Sequence, residues 1–287
     1  MAIITNHYKV AGHLFCITAQ ADDIGLMQNY TPFCCEPESG AEPVFSLSVS
    51  DGDAVSFNEE IRQSEEGQEI VCGKAGSDPA FSFLWAGRAA GWLVCSTDYR
   101  RGQLVLSGYQ RKSAIDNALM VLFALATAQQ GTAVFHASAV SYKGRAYMNL
   151  GKSGTGKSTH AALWLRHIEG TELVNDDNPV VRVFADGSAV IYGSPWSGKT
   201  PCYRNVCFPL GGIVQLSQAP YNKIRRLGGV EAYASLVASI SGKRWDRTIA
   251  DGLHATENSL VQNVPVWHLE CLPDEEAALL CRNTIVK

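Results

Sequence analysis

The 287-residue chain carries 24 Lys+Arg against 28 Asp+Glu, a formal net charge of −4, with 46% apolar and 18% charged residues. That is globular composition, which excludes a disordered, collagenous or coiled-coil chain, and its weak acidity withholds the basic footprint of a nucleic-acid binder. The longest apolar stretch, Ala118 to Ala128, is too short to cross a bilayer, and no basic segment followed by an apolar run opens the sequence. No membrane contact, no secretory signal and a cytoplasmic location are therefore expected.

The first hundred or so residues read as short strands divided by Gly, Pro, Asp and Ser. Leu14 to Thr18, Val44 to Val49 and Gly91 to Cys95 are β-type runs, Asp51-Gly52-Asp53 a turn, and Ser64 to Gly67 a solvated loop. Ser113 to Gln130 switches to helical periodicity, with Ser113 as a cap and Gly131 as the stop. Two strands follow, Thr132 to Tyr142 and Arg145 to Leu150, joined at Lys143-Gly144. A helix over Lys157 to Glu169 precedes a short strand, Glu172 to Val174. Val180 to Tyr192 reads as a hairpin turning at Asp186-Gly187. Gly212 to Leu216 and Val264 to Leu269 are strands, and Val230 to Ile240, Asp251 to Gln262 and Asp274 to Arg282 are helices. The expected fold class is α/β (α+β): a β-rich accessory domain over 1–110, then a domain with a mixed sheet over 111–287. Nine cysteines, an odd count without a C-x-x-C pair, suit reduced thiols rather than a disulfide framework or a zinc site.

The strongest chemical signal is Gly151-Lys152-Ser153-Gly154-Thr155-Gly156-Lys157-Ser158, a full G-x-x-x-x-G-K-[ST]. Glycines let the backbone turn and aim N–H groups at phosphate oxygens, and the helix that follows adds its positive end. Lys157 can pair with the β- and γ-phosphates, the Ser158 hydroxyl can ligate Mg²⁺, and Thr159 continues the phosphate-facing turn. At average composition, chance supplies such a match in a chain this long about one time in a hundred. A strand before it and a helix after it are the context the motif requires.

Asn175-Asp176-Asp177 ends a strand 18 residues after Ser158. One helix, one turn and one strand fill that gap, so the acidic pair should emerge beside the loop at the sheet's C-terminal edge, where open α/β sheets bind ligands. One carboxylate there can hold Mg²⁺ and the other can take a proton from an attacking hydroxyl. Asp-Asp before Asn-Pro also suits a plain turn. His136, within the apolar run Ala133 to Ala137, reads either as a structural strand histidine or as a neighbour that orients an aspartate. Gly193-Ser194-Pro195-Trp196-Ser197-Gly198-Lys199 reads either as a ligand-covering loop with a cation or as a turn around a packed tryptophan. Arg204, Arg225, Arg226, Lys243, Arg244 and Arg247 are further cations, most of them expected on the surface.

His136-Ala137-Ser138, the loop Gly151 to Ser158 and Asn175-Asp176-Asp177 together resemble, in order and spacing, the catalytic domains of HPr kinase/phosphorylase, within the phosphoenolpyruvate-carboxykinase-like fold. The resemblance covers roughly residues 131 to 216. It implies that Gly151, Ser153, Gly154, Thr155, Gly156, Lys157, Ser158 and Thr159 bind ATP. It also implies that Ser158 and Asp176 serve Mg²⁺, that Asp177 activates the acceptor hydroxyl and that His136 supports Asp177. The implied activity is an ATP- and Mg²⁺-dependent kinase acting on a protein serine or a small-molecule hydroxyl. Two alternatives stay open, a nucleotide-dependent ATPase or switch and a partner-recognition module, as does self-association. A GTPase would carry N-K-x-D, whereas Asn222-Lys223-Ile224-Arg225 ends in arginine.

Overall fold

The computed structural model describes residues 2–65, 67–198 and 200–286. Two compact units divide the chain, Met1–Thr127 and Ala128–Lys287. In the first, among the described residues, eight strands form one mixed sheet. They are β1 (Ile3–Val10), β2 (His13–Gln20), β3 (Phe45–Asp51), β4 (Asn58–Glu65), β5 (Gln68–Ala75), β6 (Asp78–Trp85), β7 (Arg88–Cys95) and β8 (Arg101–Leu106), in the order β1-β2-β3-β8-β7-β6-β5-β4. The short helix α1 (Ala21–Gly25) follows β2, and the long helix α2 (Arg111–Thr127) packs across β3, β7 and β8.

Helix α2 corrects the expected boundary at 110/111. It begins at Arg111 rather than behind a cap at Ser113, because the Arg111 guanidinium grips buried Asp23 bidentately (2.8 and 2.7 Å) and also reaches Asp51. Its apolar face, including Leu119, Leu122 and Phe123, is buried with the first sheet. The helix thus belongs to the β-rich unit. Ser64 and Glu65, expected in a loop, extend β4 instead, and Glu66 lies outside the described residues.

The second unit holds β9 (Thr132–Val134), β10 (Ala137–Tyr142), β11 (Arg145–Leu150), α3 (Lys157–His167), β12 (Glu172–Asp177), β13 (Val180–Val183), β14 (Ala189–Tyr192), β15 (Cys207–Gln218), β16 (Lys223–Arg226), α4 (Gly229–Val237), α5 (Arg247–Asn263), β17 (Val266–Cys271) and α6 (Glu275–Ile285). Strand β15 is the spine. Its first residues pair antiparallel with β14, and its remainder pairs parallel with β11 on one side and β17 on the other. Strand β10 runs antiparallel to both β11 and β12, so β11, β12, β15 and β17 share one direction and end at one edge. Helices α3 and α6 cover one face through Leu163, Trp164, Cys281 and Ile285, against Val140, Tyr147, Val214 and Leu269 of the sheet. Burying such side chains contributes about 1.5–3 kcal/mol each. Asp246 and Asp274 cap α5 and α6 by accepting backbone N–H bonds.

The continuous strand expected over Thr132 to Tyr142 is broken at Phe135-His136. There the Phe135 N–H donates to Pro179 O (3.0 Å) and the His136 N–H to Ser239 O (2.7 Å), so neither joins the β10 ladder. No helix among the described residues is long and apolar enough to cross a membrane. All nine cysteines are free thiols.

Candidate functional site

The glycine-rich loop leaves β11 at Leu150 and enters α3 at Lys157, the expected strand–loop–helix. Gly154 and Gly156 have φ of 76° and 105°, conformations glycine adopts without a Cβ penalty. No side chain caps the start of α3, whose first intrahelical bond runs from the His160 N–H to Gly156 O. The Lys157 side chain is buried, and its ammonium donates to Gly151 O (2.9 Å) and Lys152 O (3.3 Å), curling over the loop. Thr155 closes the turn from Oγ1 and from N–H onto Lys152 O. Ser153, Ser158 and Thr159 are exposed around it.

The acidic pair arrives at the same edge. The strand expected to end at Val174 runs on to Asp177, because Asp176 pairs with Ser138 and Asp177 with Ala137. Ser138 is in turn opposite Asn149 of β11. Directly opposed residues of antiparallel strands project to one face. Ser138 Oγ donates to Lys157 O (2.8 Å) and accepts from Asn149 Nδ2 (3.2 Å), so that face is the one on which α3 begins. The buried Asp176 side chain therefore lies on the face of the glycine-rich loop. Asp177 is half-exposed, with its carboxylate 3.9 Å from His136 Nε2 and accepting from Asn178 Nδ2 at 2.7 Å. Its φ of 139° is rare for a residue with a side chain.

The segment 193–198 is fastened to this strand end. Buried Asn175 donates to Trp196 O (3.1 Å) and to Ser194 Oγ (3.2 Å), and Ser194 Oγ donates to Asn178 O (2.7 Å). Gly198 N–H donates to Asp176 O (2.7 Å), and a Cβ on Gly198 would stand 3.1 Å from that of Asp177. Pro195 and Trp196 are buried, which favours the packed-tryptophan reading. Lys199, the cation expected there, lies outside the described residues. Of the other cations, Arg204 pairs with Glu172, Arg225 with Glu231 and Arg244 with buried Glu257. Arg247 stands near Asp251 and Arg226 lies over the Trp267 ring. Lys243 is buried with its ammonium toward the Trp245 ring.

Ser158 and Asp176 are hard oxygen donors, the chemistry Mg²⁺ prefers. Mg²⁺ is commonly held by one or two carboxylates plus substrate phosphates rather than by a protein cage. Among the described residues no group of three or more His, Cys, Asp or Glu is arranged to hold a metal.

Sequence reasoning did not single out His160. Burial pushes its imidazole down to about 4, so the ring is neutral and carries one proton. Nε2 accepts from the Trp164 indole N–H at 3.1 Å, which leaves the hydrogen on Nδ1. The His-x-x-x-Trp spacing, one helical turn, was the available signal. A cleft of about 620 Å³ opens beside the loop, between Gly154–Gly156 and α3 on one side and the ends of β15 and β17 on the other. No family model and no curated protein sequence matches this chain.

Proposed function

We propose that the second unit is an ATP- and Mg²⁺-dependent phosphotransferase of the HPr-kinase-like, phosphoenolpyruvate-carboxykinase-like kind, transferring the γ-phosphoryl group to a hydroxyl of a protein serine or a small molecule. The observation that carries this reading is the cross-strand register Asn149–Ser138–Asp176, with Ser138 bonded to the first residue of α3. It sets a buried carboxylate on the face of the phosphate loop.

In this reading the loop N–H groups and the Lys157 ammonium hold the triphosphate, the ammonium exchanging its carbonyl partners for phosphate oxygens. The Ser158 hydroxyl and the Asp176 carboxylate would hold Mg²⁺, which when bound neutralises charge on the β- and γ-phosphates. Asp177 accepts the proton of the acceptor hydroxyl as its oxygen bonds to the γ-phosphorus. The bond from that phosphorus to the β,γ-bridging oxygen breaks, and ADP leaves with the electron pair. His136 keeps the Asp177 carboxylate in place. Most of the acceleration comes from alignment and charge neutralisation.

The test is ADP release with and without candidate hydroxyl acceptors, for the native chain and Asp177→Asn. The reading expects acceptor-dependent ADP release that falls about 10²–10⁴-fold in the variant, with ATP affinity retained. Equal transfer by Asp177→Asn removes it from the base role. ADP release that ignores every acceptor favours an ATPase, and ATP binding without turnover favours a recognition module.

A further inference from the structure

Glu257 of α5 is fully buried, and both oxygens of its carboxylate are engaged. Oε1 accepts from Arg244 Nη2 at 2.5 Å, and Oε2 lies 3.1 Å from His254 Nδ1. Arg244 belongs to the connection between α4 and α5. Its Nη2 also donates (3.1 Å) to the carbonyl of Val237, the last residue of α4. On the same connection Ser239 O accepts the His136 N–H (2.7 Å), Ile240 bridges Phe135, and Ser241 N–H donates to Val134 O (2.9 Å). A Cβ on Gly242 would run into the Leu253 side chain, so the connection lies close against α5. One guanidinium thus ties α5 and the end of α4 to the stretch from which the His136 backbone hangs.

Stability alone does not account for this pair. Two buried charges gain little over apolar side chains of similar volume, because both lose their hydration. Arg244 Nη1 is also buried with no hydrogen-bond partner among the described residues, which an arrangement selected only for stability would avoid. What the pair supplies is a fixed place, since an apolar substitute could fill the space but could not hold Val237 O.

We propose that Arg244 and Glu257 are positioning residues of the phosphotransfer site. Their buried pair fixes the α4–α5 connection and, through Ser239, the backbone of His136, whose Nε2 stands 3.9 Å from the Asp177 carboxylate. The inference rests on the phosphotransfer reading above and adds two residues that touch neither nucleotide nor acceptor. A displacement of about 1 Å at a reacting group costs on the order of 10²-fold in rate. A connection released from α5 is therefore felt in turnover, and not in the loop's hold on the triphosphate.

Steady-state kinetics of acceptor-dependent ADP release separate turnover from ATP binding. Glu257→Gln should lower kcat about 10–100-fold with KM for ATP unchanged. Arg244→Lys keeps a cation on the carboxylate and should retain more of kcat than Arg244→Met. The double variant Arg244→Met with Glu257→Leu removes both charges, so it should match the native chain in urea denaturation while its kcat stays low. Recovery of kcat together with stability in that double variant makes the pair merely structural and overturns the proposal. The His136 imidazole NMR signal, identified by its disappearance in His136→Gln, reports placement without any activity. It should move in the double variant while the signal of His7, on β1, stays where it is. An unmoved His136 signal also overturns the proposal. If the native chain transfers phosphate to no acceptor, the phosphotransfer reading fails, and the NMR comparison still decides whether the pair places His136.

Discussion

Asp177 offers a test in which backbone and chemistry pull apart. Its φ of 139° lies where a side chain is strained, at a cost of about 1–3 kcal/mol. At an ordinary strand position glycine is less stable than alanine by roughly 0.5–1 kcal/mol, for entropic reasons. Asp177→Ala and Asp177→Gly lose the same carboxylate contacts, to Asn178 and His136, so their difference isolates the backbone. Subtracting the glycine entropy from the relieved strain leaves glycine ahead by about 1 kcal/mol, which is a rise of about 2–4 °C in the midpoint for a unit of this size. Thermal and urea denaturation of the two variants side by side measure it. Both should bind ATP and neither should transfer phosphate. An alanine variant as stable as the glycine variant, or more so, refutes the claim that the acidic corner stores strain.

On the proposed function Lys157→Ala removes a charge-assisted contact to phosphate and should weaken ATP about 10–100-fold by calorimetry, with the far-UV spectrum unchanged. Acid should loosen the second unit through His160. The unfolded ring takes a proton near pH 6.5 that the folded ring refuses until about 4, so its contribution is complete above 6.5 and is lost as pH falls toward 4. That loss amounts to about 3 kcal/mol, read as a steeper fall of the urea midpoint in the native chain than in His160→Gln; parallel falls refute it. Arg111→Ala strands the Asp23 carboxylate, which is only 2% exposed, and should destabilise the first unit by about 3–5 kcal/mol in urea denaturation.

The parts of the site that read directly from the sequence are those encoded by contiguous residues. The eight-residue loop needs only its own glycines and the strand and helix beside it, and Asp176 falls close enough along the chain for counting to place it. What escaped depends on partners far away in the chain. The break at Phe135-His136 exists because Pro179 and Ser239 supply the acceptors, and an apolar run gives no hint of that. Strand β4 was hidden because nearly every residue of Asn58–Glu65 is exposed, so no alternation marks it; its charges, with Arg62 bridging Glu59 and Glu69, suit an exposed edge. Strand β12 outran its expectation because aspartates are poor strand formers, and only pairing with Ala137 and Ser138 carries the ladder through them.

The diversion of the chain at His136 has a consequence for how such a protein can change over evolutionary time. The backbone that seats this histidine is stitched to the connection between α4 and α5, through Ser239 and again where Ser241 N–H meets Val134 O. That connection contains none of the residues assigned to phosphate or metal. Insertions or exchanges there would re-aim the imidazole, and the carboxylate beside it, while leaving the glycine-rich loop untouched. On the proposed function, preference for a new acceptor is then acquired by editing a stretch of chain that carries no chemistry of its own.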